Sequence, residues 1–335
     1  MSPIKRVSKL AGVSPATVSR AFSDPSKLSA GTLEKVLRAA TQLNYKPNSL
    51  AKAFRGKSTR SVLVMVPDLR NVIFAKVLAG VERIVAENDY FLLVMDTRDD
   101  IEIERAGLEM VQTNRADGVI QVGGRTLKEI MPDGDRTLVP FVHALDVVAP
   151  AKYPTVMIDN AAAAESMTSY LLALGHTRIG VLGGIRNRSV SQERIKGYRR
   201  AIEGYGLKYE DSATEHSAYS FAGGQRAALR LLSRHPDLTA LFCLSDEIAI
   251  GAMRTALDRG LSLPDDLSVT GFDDTAFSKV CQPTLTTVVQ PAERMGEIAM
   301  TMMVSLLRGE TAAPNHQCLP TELVIRSSTR RHRTT

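Results

Sequence analysis

The rhythm of apolar positions changes between the start of the chain and the rest. In the first 46 residues it is helical. Ile4, Val7 and Leu10 stand three apart, with Ala11 completing a short amphipathic face. Gly12 permits a sharp bend. Ser14 suits an N-cap whose hydroxyl accepts the Thr17 N–H, and Pro15 falls at the first helical position, where a missing N–H costs nothing. The second helix has an apolar side, Val18 and Phe22, and a small, hydroxylic and cationic side, Pro15, Ala16, Thr17, Ser19 and Arg20. Ser29 caps a third helix whose buried stripe is Leu33, Val36, Leu37, Ala40 and Leu43, and Pro47 prevents its continuation. Helix, glycine turn and capped helix predict a helix-turn-helix unit. For this stretch by itself an ordinary αα-hairpin with a solvated outer face is the alternative.

From Ser61 the pattern becomes continuous apolar runs separated by helical segments. "SVLVMVPD", helix 74–88, "YFLLVMD", helix 101–114, "GVIQVG", a short helix near 127–131 and "PFVHAL" form one series. A second series starts near "TVMIDN". It continues with helix 161–174, "RIGVLGG", helix 193–205, a strand near 215–219, helix 222–233, "ALFCLS", helix 246–259, "SVTGFD" and helix 291–307. Strands apolar on both faces, alternating with helices, predict parallel sheets covered on both sides. The expected fold class is an all-α helix-turn-helix head followed by an α/β core of two lobes. Ligands of open parallel sheets bind beyond the strand C-termini, which here means the cleft between the lobes. Between head and core, "PNSLAKAFRGKSTRS" reads as a basic linker, yet Asn48 suits the cap of a short helix, 49–55, with Leu50 and Phe54 on one face.

Charge sharpens this picture. Residues 1–60 hold twelve Lys and Arg against only Asp24 and Glu34, a net +10 in a chain whose total is +6, so the remaining residues carry −4. A basic head on a slightly acidic body is the footprint of nucleic-acid binding. A basic tail for a membrane surface is the weaker alternative, since this head has the periodicity of a folded unit. No apolar run approaches the ~18 residues of a membrane span, and no apolar leader stands at the N-terminus, so a cytoplasmic protein without membrane contact is expected. Cys243, Cys281 and Cys318 are far apart, which fits a reducing compartment.

Other candidates carry little chemistry. Gly123-Gly124 and Gly183-Gly184 follow strands but extend to no phosphate-binding motif, so tight βα turns are expected. His176, at the end of a helix, reads as a C-terminal cap rather than a catalytic base. Six scattered His and three lone Cys form no metal set. No nucleophile has a visible base and orienter. Neither an enzyme nor a cofactor is expected. The tail "STRRHRTT" is basic and has no leucine heptads, so a dimer is expected and no coiled-coil tetramer.

"IKRVSKLAGVSPATVSRAF", "LNYKPNSLAKAFRGKSTRSVLVMVPDL", "ALGHTRIGVLGG", "LFCLSDEIAIGA", "LPDDLSVTGFDD" and "PTLTTVVQP" together resemble the lactose-repressor (LacI/GalR) family over nearly the whole chain. "PTVMIDN", "FCLSD" and "ELVIRSSTR" are most similar to its cytidine-responsive branch. The resemblance implies a periplasmic-binding-protein-like core and a homodimer whose heads read a pseudo-palindromic double-stranded DNA operator. It implies a head at 1–46, a hinge at 47–60 and a core at 61–329, with a basic tail at 330–335. Lobe 1 would take about 61–158 and 290–318, lobe 2 about 159–289 and 319–329. Ser14 to Arg20 would be the recognition segment. Pro15 and Ala16 match the base-selecting positions; Thr17, Ser19 and Arg20 match those that fix register. In the hinge, Asn48, Ala51, Phe54 and Arg55 would meet the minor groove, with Phe54 standing where the family usually wedges a leucine between base pairs. For the small-molecule effector, a nucleoside or a sugar, the implied cleft residues are Asn71, Phe74, Asp159, Arg188, Arg194, Tyr219, Asp246 and Asp273. Val190 falls where many relatives carry a polar residue. For Arg188 a surface cation among Arg186, Asn187 and Ser189 is the alternative reading.

Overall fold

The fold is described from a computed structural model, over residues 2–45, 58–125, 127–130, 139–145, 153–310 and 316–332. The head has helices α1 (Pro3–Ala11), α2 (Pro15–Ser23) and α3 (Ala30–Gln42). Gly12 ends α1 at φ 65°, a left-handed conformation open to glycine without strain. Ser14 caps α2, accepting the Thr17 N–H at 3.1 Å. Val7, Val18, Ala21, Val36, Ala39 and Ala40 form the head's core, and Phe22 meets Tyr45 edge-on. Two residues depart from the expected stripes: Leu10 and Leu37 are 52% and 43% exposed. The real faces run Ile4–Val7–Ala11 and Leu33–Val36–Ala40–Leu43, and at about 100° per residue Leu10 and Leu37 fall on their flanks.

The core contains two six-stranded sheets. The first is built from β1 (Ser61–Val66), β2 (Phe91–Asp96), β3 (Gly118–Val122), β4 (Phe141–Leu145), β5 (Thr155–Ile158) and β11 (His316–Leu319), in the order β11-β5-β4-β3-β1-β2, all parallel. The run "TVMIDN", expected to open the second series, therefore belongs to the first sheet, between β4 and β11. Alternation along β1 explains the layers. Val62, Val64 and Val66 face α4 (Val72–Glu87) and α12 (Ala292–Leu307), whereas Leu63 and Met65 face α5 (Ile101–Gln112). A short α6 (Leu127–Ile130) follows β3. Helices α4 and α12 touch backbone to backbone: a Cβ on Gly80 would stand 1.9 Å from Glu293 O, and one on Gly296 2.0 Å from Val77 O.

The second sheet holds β6 (Ile179–Gly183), β7 (Thr214–His216), β8 (Ala240–Cys243), β9 (Ser268–Asp273), β10 (Thr286–Val289) and β12 (Glu322–Val324), in the order β12-β10-β9-β8-β6-β7. All its pairings are parallel except β10 with β12. One face packs on α7 (Asn160–Ala173) and α8 (Ser189–Gly204), the other on α9 (Phe221–Arg234) and α10 (Asp246–Asp258). Helix α8 begins four residues before the expected position 193, because "SVSQ" is weak in helix propensity and gives little periodic signal. The short α11 (Ala276–Val280) follows β9. The chain passes between the sheets near Asp159, Gln290 and Leu319–Glu322, so each sheet is assembled from separated segments.

His176 closes α7 through its backbone, with its N–H bonded to Leu171 O at 3.2 Å. Its ring does something the sequence did not suggest. It bridges Thr239 Oγ1 and Arg330 O, each at 3.0 Å, and stacks on His332, tying the C-terminal segment to the second lobe.

Candidate functional site

Two surfaces have functional chemistry. On the head, α2 turns Val18 and Ala21 inward and leaves Ser14, Pro15, Ala16 and Arg20 exposed, with Thr17 and Ser19 half-exposed. Short side chains, hydroxyls and one guanidinium therefore share a single accessible helix face, which suits close approach to a major groove. The hinge candidates Asn48, Ala51, Phe54 and Arg55 lie outside the described residues.

Between the lobes lies a cavity of about 890 Å³. Its walls follow the C-terminal ends of the strands. Asn71, Phe74 and Asp99 come from the first lobe, Arg188, Val190, Arg194, Tyr219, Glu247 and Asp273 from the second, and Gln290 from a crossover. Of the two glycine pairs, Gly123-Gly124 lines this surface and Gly184 lies behind a ring that does. Gly123 and Gly124 turn at φ 66° and 86°, and Gly184 makes room for an aromatic ring, since its Cβ would fall 2.0 Å from the Tyr219 ring. The Tyr219 hydroxyl in turn meets Ser191 Oγ at 2.8 Å. Phe221 and Phe277 meet edge-on at the second-lobe wall.

Asn71 caps α4, its side chain accepting the Ile73 N–H at 3.0 Å. Arg194 is buried on its own network. It donates to Asn160 Oδ1 at 2.9 Å and Leu244 O at 2.6 Å, lies over the Phe272 ring, and stands 3.9 Å from Asp273 Oδ1. Gln290 Nε2 donates to the same Asp273 oxygen. Asp273 has φ 114° and Asp274 φ 46°, a left-handed pair of non-glycine residues at the end of β9, and this strained turn points Asp273 into the cavity. Among the described residues, three polar contacts span the cleft. Arg188 pairs with Asp99, Lys76 Nζ donates to Asp274 O at 2.6 Å, and the Val72 N–H donates to the Glu247 carboxylate.

Two expected cleft residues do not line the cavity. Asp159 is exposed and caps α7, accepting the Ala162 N–H at 2.8 Å; its neighbour Asn160 is the residue that joins the site, through Arg194. Asp246 lies beneath the wall, fully buried, accepting the Thr287 hydroxyl and the Thr275 N–H, each at 2.6 Å. Its carboxylate is used up in joining α10 to β10 and to the turn after β9. Sequence reasoning missed Asp99, Glu247, Gln290, Phe221 and Phe277, all of which line the cavity. Their usable signal was position, since Asp99, Glu247 and Gln290 stand within a few residues of a strand's C-terminal end.

Burial raises the acids of this region. Glu247 is pushed up to about 7 by burial, against the bond from Val72. Asp246 is raised by burial and then by the Asp273 charge; Asp273 is raised by burial, with Arg194 pulling the other way. A carboxyl raised on folding binds more protons folded than unfolded. The stability it contributes is present below its unfolded value and is lost as pH rises through the folded one. His176, lowered by burial, acts in the opposite sense below its ordinary value. Three acids outweigh one imidazole, so the urea midpoint is expected to fall between about pH 5 and about pH 8. Glu247→Gln should flatten that fall. A midpoint that rises across this range would contradict the burial of these acids.

A helix-turn-helix head followed by two α/β lobes around a cavity lined by apolar, aromatic and charged side chains defines a ligand-responsive DNA-binding regulator. Residues 3–48 match the family described as bacterial regulatory proteins, lacI family, and residues 168–329 match a periplasmic binding protein-like domain. The chain is 33% identical over 327 residues to the HTH-type transcriptional repressor CytR of Escherichia coli (strain K12), covering 98% of this chain and 96% of that one. It is 32% identical over 325 residues to catabolite control protein A of Priestia megaterium, covering 97% and 98%. Among solved structures, the lac repressor dimer bound to operator and the anti-inducer ONPF superposes with a TM-score of 0.86 at 26% identity, over 97% of this chain and 98% of that one. The transcriptional regulator CelR–cellobiose complex gives 0.74 at 29% identity, over 98% and 100%. The chain belongs to the lacI family of bacterial transcriptional regulators. Among the described residues no helix is long and apolar enough to cross a membrane.

Proposed function

We propose that the protein is a homodimeric cytoplasmic repressor whose heads grip a pseudo-palindromic operator, and that a neutral nucleoside, cytidine first, controls that grip from the interlobe cavity. The observation that carries the reading is the cavity itself. Carboxylates that accept hydrogen bonds from vicinal hydroxyls, guanidinium groups and the rings of Phe74, Tyr219, Phe221 and Phe277 converge there from both lobes. Similarity to the repressor CytR supports repression, and the stretches "PTVMIDN", "FCLSD" and "ELVIRSSTR" support the nucleoside. A sugar effector is the second reading, favoured by the cellobiose held by the structural relative CelR. Effector binding would change the set of the lobes and so the spacing of the heads, and by linkage operator DNA would weaken effector binding by the same factor.

Calorimetry of the full-length protein with nucleosides, pentoses, hexoses and purines tests this, with Arg188→Ala and Asp273→Ala beside it. Cytidine heat abolished by both substitutions is expected. Heat confined to a sugar would replace the nucleoside. A nucleoside signal untouched by either substitution would move the effector out of this cavity.

A further inference from the structure

Asp99 is the point where guanidinium groups from the two lobes meet. Arg188 reaches its Oδ1 from the second lobe, and Arg125 Nη1 stands 3.7 Å from the same oxygen within the first. Arg125 is held in place by Glu104, 3.1 Å away, whose side chain is wholly buried. The turn that presents Asp99 is conformationally costly. Arg98 and Asp99 both adopt left-handed backbones, φ 50° and 61°. Aspartate tolerates that region better than most residues, whereas arginine does not favour it. The turn directs the carboxylate into the cavity wall, between the two cations.

The electrostatic consequence concerns what the cavity admits. Each guanidinium lining it already faces an acid, apart from the exposed Arg98. Arg70 is gripped by Asp68 through bonds of 2.8 and 2.9 Å, Arg194 stands 3.9 Å from Asp273, and Arg188 pairs with Asp99. Asp96 and Glu247 add further acids to the wall. Apart from Arg98, a phosphate entering here finds each guanidinium of the wall already facing a carboxylate.

We propose that Asp99 is a specificity-determining residue. It occupies, as an internal carboxylate between Arg125 and Arg188, the place an anionic ligand group would take, so the cavity accepts neutral hydroxyl-bearing ligands and refuses their phosphorylated forms. Glu104 is its positioning residue, acting through Arg125. The inference rests on the reading of this cavity as the effector site.

The test titrates inorganic phosphate and cytidine 5′-monophosphate into full-length wild type, Asp99→Asn, Asp99→Glu and Asp99→Asn/Arg188→Ala at low salt. Wild type, Asp99→Glu and the double variant should show only the weak phosphate binding of the basic heads. Asp99→Asn should gain a phosphate site at least about ten-fold tighter. Asp99→Ser carries the same comparison if Asp99→Asn does not fold. Equal phosphate binding by wild type and the neutral variants overturns the assignment, and so does a gain that survives Arg188→Ala. Cytidine is titrated alongside. Absence of cytidine heat with a phosphate gain in Asp99→Asn strikes the nucleoside reading and leaves the role of Asp99 standing. Normal cytidine heat with no phosphate gain strikes the role of Asp99 alone.

Discussion

Arg194→Ala is expected to cost about 3–5 kcal/mol of stability and to abolish effector uptake. The guanidinium is the buried counter-ion of Asp273 and also satisfies Asn160 Oδ1 and Leu244 O. Alanine leaves two acceptors without their donor and an acid at 5% exposure without its cation. The Phe272 ring loses the plane stacked on it. Arg194→Lys should be intermediate, since an ammonium keeps the charge but cannot serve three partners in a fixed fork. The pH dependence separates lost charge from lost packing. The penalty should shrink on acidification, because a protonated Asp273 no longer needs a cation, whereas a packing loss is indifferent to pH. Urea unfolding of wild type and variant at about pH 5 and about pH 8 reads both effects. A cost below about 1 kcal/mol at the higher pH would sink the counter-ion role.

How much of this was legible beforehand follows from where each signal resides. The head was readable because its signals are local. Ser14, Pro15 and Gly12 do in the structure what hydroxyl, ring and missing Cβ dictate on their own. The strands were readable from apolar runs such as "SVLVMV", whose residues turn alternately to α4 and α5. Sheet membership was not local. β5 belongs to the first sheet because β4 and β11 pair with it, and β11 lies some 160 residues away in the chain. The cleft was half legible. Strand ends mark its rim, but whether a carboxylate there faces the ligand or the protein depends on its partners. Asp246 found two donors inside the second lobe, whereas Asp273, at the next strand end, was turned outward by its backbone. Asp99 had no signal of its own type. What distinguishes it is the convergence of Arg125 and Arg188, which only the closure of two lobes creates.

Operator affinity should fall by roughly 10³–10⁵ between about 50 and about 200 mM salt, the largest effect expected of this protein. The head holds only two acids, and each is already engaged: Asp24 by Lys27 and Glu34 by Arg38, both at 2.8 Å. Lys5, Arg6, Lys9, Arg20 and Lys35 are exposed and have no acid of the head left to pair with. Two heads on one operator would then present about ten such cations. Roughly 6–10 phosphate contacts are enough for a loss of that size, at a log–log slope of about −0.9 per contact. Arg20→Ala divides the two roles open to the recognition helix. If Arg20 holds a phosphate, the variant should weaken specific and scrambled DNA alike and make the slope shallower by about one. If it reads a base edge, the loss should fall on the specific site alone, about 1–3 kcal/mol, with the slope nearly unchanged. Fluorescence anisotropy of the full-length protein on both DNAs across the salt range distinguishes the outcomes. A flat salt response of the wild type would remove the head's +10 charge from the account of binding, and with it the groove-reading role of α2.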